Sequence, residues 1–142
     1  MSKSERFKPI RKIAEKKERD AASAFGKTLR DREAAQQRLN ELREYHAEYL
    51  QRFTQATRDG IGSARIREYQ AFITKLELAI AEQENVLTVR KQTCVKKKAQ
   101  WRGEFTKARA VEKALERMRS DELKQKEKRE QALSDERAQR RR

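Results

Sequence analysis

His46 is the one histidine in the chain and Cys94 the one cysteine, so the side chains best suited to general-base and nucleophilic chemistry occur once each. No second histidine is available for a metal pair, and a lone cysteine makes neither an internal disulfide nor a thiolate cluster. Both residues fall in phase with an apolar helical series, which predicts a packed imidazole and a small buried thiol. The glutamates are scattered along polar faces and do not pair in a pocket. Gly60 and Gly62, in "RDGIGSARIREYQAF", raise the question of a phosphate cradle, but such a loop needs a strand before it and a Lys after it, as in GxxxxGK[ST], and neither is present. The stretch "RKQTCVKKKAQWR", Arg90 to Arg102, holds six basic residues, no acid and Trp101. It could meet phosphates and stack on bases; alternatively Trp101 is a packed residue and the cations are solvated. No zipper-linked basic region or other nucleic-acid motif accompanies it. These observations predict a protein that is not an enzyme, with no catalytic residue, cofactor, metal or small-molecule substrate, and they make nucleic acid a secondary reading.

The composition points the same way. In 142 residues, 42% are charged, 35% hydrophobic and 6% aromatic, which is too little apolar surface for a round core of normal size. Abundant Ala, Leu, Glu, Lys, Arg and Gln with little Gly or Pro instead suits long helices that bury a narrow stripe. The formal net charge of +14 calls for acidic partners: nucleic acid, an anionic membrane surface or an acidic protein face. The opening "MSKSERFKPIRK" has no apolar signal region, and no run approaches the ~20 apolar residues of a membrane span. With a single cysteine, the expectation is a cytoplasmic chain that neither crosses a membrane nor follows that secretion route.

Two helices and a turn account for the pattern. Pro9 suits a first helical turn, so helix one is expected over about 9–57. Its apolar or small residues recur at steps of three and four through Ile10, Ala14, Ala21, Phe25, Thr28, Ala35, Leu39, His46, Leu50 and Phe53. After a turn at about 58–63, helix two is expected over about 64–125, through Ile66, Tyr69, Ile73, Leu76, Ile80, Leu87, Cys94, Trp101, Phe105, Ala108, Val111, Leu115 and Met118. Gln83, Arg90 and Lys97 interrupt that second series. Gly60 can end helix one in the left-handed region, and Ser63 can cap helix two. A straight helix through both glycines would lose roughly 2 kcal/mol of propensity, whereas a fold-back lets the two seams meet. The predicted fold is all-α: a long antiparallel two-helix coiled-coil hairpin, a single domain over 1–142, with the second helix longer. Equal offsets from Ile61 set Phe53 by Tyr69, His46 by Leu76, Leu39 by Gln83 and Ala21 by Trp101. Beyond about Leu115 helix two lacks a partner in its own chain, and the basic tail over about 126–142 either frays or waits for another protein.

A second stripe is not needed by the seam. Leu42, Tyr45 and Tyr49 lie about a quarter turn from it on helix one, and Phe72, Leu76 and Ala79 are displaced in the same sense on helix two. In an antiparallel pair these merge on one broad side as an apolar and aromatic docking patch. Two other readings stand beside it: Leu76 and its neighbours widen the seam, or the patch joins two copies of the chain.

The segments "LNELREYHAEYLQRF" and "RDGIGSARIREYQAFITKLELAI" resemble the flagellar FliJ family and, more distantly, injectisome stalk proteins. The resemblance is most specific over about Leu39 to Leu87. It implies a stalk of the flagellar type III export apparatus, similar to the central subunit of rotary ATPases. One end would enter the hexameric ring of the export ATPase FliI, the turn-proximal surface would bind the cytoplasmic region of the export gate FlhA, and export chaperones would be escorted. The gate-binding positions it implies here are Leu42, Tyr45, Tyr49, Phe72, Leu76 and Ala79, with Arg38 and Gln83 at the edges. It further implies peripheral association with the inner-membrane apparatus at the flagellar base.

Overall fold

The computed structural model describes residues 2–141; Met1 and Arg142 lie outside them, and with them the final arginine of the basic tail. Two helices, α1 (Lys3–Asp59) and α2 (Ser63–Arg140), make up the fold, with no strand among the described residues. They pack against each other, and α2 is the longer, at 78 residues against 57.

Helix α1 begins at Lys3, six residues ahead of the expected start at Pro9. The reason lies in "SKSE": the Ser2 hydroxyl accepts the Glu5 N–H at 3.3 Å, and the Arg6 N–H donates to the Ser2 carbonyl at 3.2 Å. That is the serine half of a capping box. Pro9 therefore sits inside the helix, which forgoes one backbone bond there without stopping. At the other end Gly60 adopts φ +86°, the left-handed conformation that closes α1 at low steric cost. The expected cap at Ser63 moves one residue back. The Gly62 carbonyl receives the Arg65 and Ile66 N–H groups at 3.1 and 3.2 Å, so Gly62 holds the cap position and Ser63 is already helical.

The contacts form two units, 1–22 with 100–142 and 23–99. In the unit 23–99, Ala35, Leu39 and Leu87 form the buried cluster, with Ile80 and Val86 against it. Ile73, Leu76 and Cys94 are buried along the same seam. The interruption at Gln83 is accommodated because its amide donates to the Ala35 carbonyl at 3.1 Å, which removes the cost of placing it against α1. Contact partners run in opposite directions along the two helices: Arg43 with Glu84, His46 with Glu77, and Phe53 with Tyr69. The pairing is antiparallel, as the short connection between Asp59 and Ser63 requires.

In the unit 1–22 with 100–142 the order is again reversed: Ser4 meets Glu122, Arg11 meets Glu112, and Glu18 meets Trp101. Leu115 is fully buried, and pairing continues as far as Glu122, past the limit expected near Leu115, because α1 starts earlier than Pro9. The tail, expected either to fray or to wait for another protein, is helical to Arg140, with Gln131 bonded to Asp135 and Arg140 to Glu136 at 3.2 and 2.9 Å. Its residues from Leu123 onward are exposed. Ile10, Leu50 and Phe105, all expected in the seam, stay exposed, since two helices enclose only the line between them and leave bulky flanking side chains half in water. The Arg109 guanidinium lies over the Phe105 ring at 5.2 Å and covers part of it.

Candidate functional site

The turn-proximal end of the unit 23–99 gathers all three tyrosines and two of the five phenylalanines of the chain. Tyr45, Tyr49 and Phe53 come from successive turns of α1, and Tyr69 and Phe72 from the first turns of α2. Steps of four on α1 and a step of three on α2 keep each set on one side of its helix, and the short connection at Gly60 to Gly62 brings the two sets to the same height.

The rings form a continuous ladder. Phe53 lies 5.4 Å from Tyr69, Tyr69 5.4 Å from Tyr49, Tyr49 4.3 Å from Phe72, and Phe72 5.8 Å from Tyr45 with the rings at 88°. Edge-to-face and tilted pairs at these separations suit the quadrupoles of the rings, so the ladder is prearranged rather than loose. Arg52 lies over the Tyr49 ring at 6.0 Å. Tyr45 is 42% exposed. Tyr49, Phe53, Tyr69 and Phe72 are half-buried, and so are Leu42 and Ala79.

Two of the positions named from sequence belong elsewhere. Leu76 is only 6% exposed, so it lies in the seam and not on the surface of the patch. Its phase lies near enough to the line of contact that α1 covers it, as the seam-widening alternative holds. Gln83 is half-buried with its amide turned to Ala35, so it is a seam residue and not an edge of the patch. Arg38 is solvated, 3.9 Å from Glu41. Conversely, Phe53 and Tyr69 extend the ladder toward the turn. Sequence reasoning placed them in the seam and missed their shared role; the signal was the run of aromatics at steps of four from Tyr45 to Phe53.

The remaining candidates have structural employment. His46 Nε2 lies 3.3 Å from Glu77 Oε1 at the seam edge, beside the Arg43–Glu84 pair at 3.2 Å. Cys94 is a free, buried thiol. Trp101 donates its indole N–H to Glu18 at 3.1 Å and packs on Phe105 at 5.7 Å, an arrangement that holds the ring against the protein's own helices. No group of three or more His, Cys, Asp or Glu converges to hold a metal among the described residues. No described helix is long and apolar enough to cross a membrane.

The chain is thus an all-helical pair that presents a half-exposed aromatic ladder near its turn. Residues 2–142 match the family model described as flagellar FliJ protein, and the chain belongs to that family. Membership assigns a non-catalytic role in flagellar protein export and flagellum biogenesis. No curated protein and no solved structure matches the chain.

Proposed function

We propose that the chain is a coupling stalk of the flagellar type III export apparatus, docking the cytoplasmic region of the export gate FlhA through the aromatic ladder and engaging the FliI ATPase ring through the unit that carries both chain ends. Leu42, Tyr45, Tyr49, Phe72 and Ala79 make the gate contact, Leu76 stays in the seam, and Phe53 and Tyr69 extend the surface. The ladder is the observation that carries this reading: large rings with two rotatable bonds each, already packed, lose little entropy on docking. The exposed basic helix end with Arg137 and Arg140, followed by Arg141, suits an acidic ring lumen. Escort of export chaperones and peripheral placement at the inner-membrane base of the flagellum belong to the same reading and rest on family membership.

The test is a pull-down of the purified gate domain and of the purified ATPase with wild type and the triple variant Tyr45→Ala, Tyr49→Ala, Phe72→Ala. Truncation of anchors of this kind costs at least ~2 kcal/mol in total, about 30-fold in affinity. Gate capture is expected to be lost, with ATPase capture and helicity by circular dichroism unchanged. Retained gate capture refutes the assignment.

A further inference from the structure

The side of α2 that faces away from α1 carries a second heptad series. From Ala71 to Ala99, in alternating steps of three and four, nine positions run through Leu78, Asn85 and Val95 without one charge, although 42% of the chain is charged. All nine are exposed, whereas Ile73, Leu76, Leu87 and Cys94 of the seam are buried. Leu78 and Val95 are 67% and 65% exposed, the two most exposed large apolar side chains described. Two of its four polar side chains bond back to their own helix: the Thr74 and Thr88 hydroxyls donate to the Gln70 and Glu84 carbonyls at 2.9 and 3.0 Å.

We propose that this row is a seam for a second copy of the chain, α2 against α2 in antiparallel register. The charges beside the row select that occupant. Its flank carries Glu77 and Glu84 in the first half and Lys91 and Lys98 in the second. When Leu78 packs on Val95 of the other copy, the same register sets Glu77 against Lys98 and Glu84 against Lys91, each pair occurring twice by symmetry. Asn85 then lies next to the two-fold axis, where a buried amide penalises shifted registers. Glu77 and Glu84 also touch His46 and Arg43, but their side chains remain 59% and 50% exposed and can be reached from the other side. On the opposite flank Lys75 meets Lys96, a like-charge contact that keeps the association weak. The seam occupies roughly 40 Å of helix and leaves the aromatic ladder free, so its failure would not touch the docking reading.

Sedimentation equilibrium of the full chain at low salt, over low to high micromolar concentration, tests this. A monomer–dimer equilibrium is expected. Glu84→Lys and Lys91→Glu each weaken it roughly tenfold, and the double variant restores it, because both copies then carry exchanged partners. Leu78→Asp abolishes the dimer with helicity kept, Lys75→Glu strengthens it, and Arg43→Ala, which removes only the intrachain pair, leaves it unchanged. A monomer at every concentration overturns the proposal, as does a dimer indifferent to both charge reversals. Loss of the dimer in Tyr45→Ala, Tyr49→Ala would assign association to the ladder instead. A monomeric wild type whose capture of the purified gate domain or ATPase is lost with Leu78→Asp would assign the row to that partner.

Discussion

The units 23–99 and 1–22 with 100–142 use the same two helices and hold them together in different ways. In the first, the buried contact is apolar, with polar pairs beside it: Leu39 and Leu87 pack with Ala35, Ile73, Leu76 and Cys94 continue the buried line to either side, and Gln83, Glu84 and Glu77 bond across to α1. In the second, Leu115 is the one apolar residue described as buried, and side-chain polar contacts recur along the pair. Glu122 takes the Ser4 N–H and hydroxyl at 3.0 and 2.7 Å, Arg11 bridges Glu15 and Glu112 at 3.0 and 3.1 Å, and Glu18 takes the Trp101 N–H at 3.1 Å. Apolar burial is non-directional and sets how strongly helices adhere; exposed polar pairs fix register at a gain of only ~0–1 kcal/mol each. The first unit should therefore be less sensitive to salt and acid than the second.

The largest effect should come from the apolar seam. Leu39, 2% exposed, faces Ala35 and Leu87, and Leu39→Ala is expected to cost about 2–3 kcal/mol, near the lower end for a buried leucine because the edge of a two-helix seam lets water refill the space. Urea unfolding followed by circular dichroism reads this as a lowered midpoint. Arg11→Ala, which removes the bridge to Glu15 and Glu112, should leave that midpoint nearly unmoved while raising amide exchange in 3–18. Equal shifts from the two substitutions would erase the distinction between the units.

A smaller effect separates the two turn glycines. An added Cβ meets nothing within 4 Å at either, so sterics with neighbours are not at issue. Gly60 has φ +86°, and Gly60→Ala should cost about 1 kcal/mol of backbone strain. Gly62 lies outside the positive-φ region, and the gain of Gly62→Ala through the unfolded chain is offset by alanine's poorer fit to the cap position, so no net loss beyond about 0.5 kcal/mol is expected. Thermal melts of the two variants check the contrast; a larger loss from Gly62→Ala would mean that the cap formed by Gly62 needs glycine for another reason.

These differences also explain what could be read in advance. Register was legible because it follows from one number, the centre of the fold-back: offsets equal about Ile61 put Phe53 beside Tyr69, whose rings lie 5.4 Å apart. Periodicity likewise marked Ala35, Leu39, Ile73, Leu87, Cys94 and Leu115 for the seam. It could not separate Leu76 from Phe72, since a residue a fraction of a turn off the contact line is covered or not according to how closely the partner helix approaches. Pro9 concealed the true start of α1, which depends on Ser2 and on a carboxylate 118 positions away from Ser4. No local pattern reports which of many glutamates will reach across. The aromatic ladder was half legible: helical spacing of three or four gave the sets on each helix, and only the structure joined Tyr49 to both Tyr69 and Phe72.

Glu122 offers the finest division between the units. Its carboxyl lies below its ordinary 4.5 because the Ser4 backbone N–H and then the Ser4 hydroxyl donate to the ionised form, with Arg119 adding to the same direction against partial desolvation. A depressed carboxyl pKa stabilises the closed end fully above the open-state value, and the contribution is lost as pH falls from 4.5 through the folded value, because the open state takes up the proton first. The Ser4 amide resonance should therefore titrate with a midpoint below 4.5, and Glu122→Gln should abolish that titration and expose the Ser4 and Arg6 amides to faster exchange at neutral pH. Amides around Leu39 and Leu87 should respond to neither change. A Ser4 midpoint at or above 4.5 would mean that the carboxylate does not cap α1, and the start of the helix would then rest on Ser2 alone.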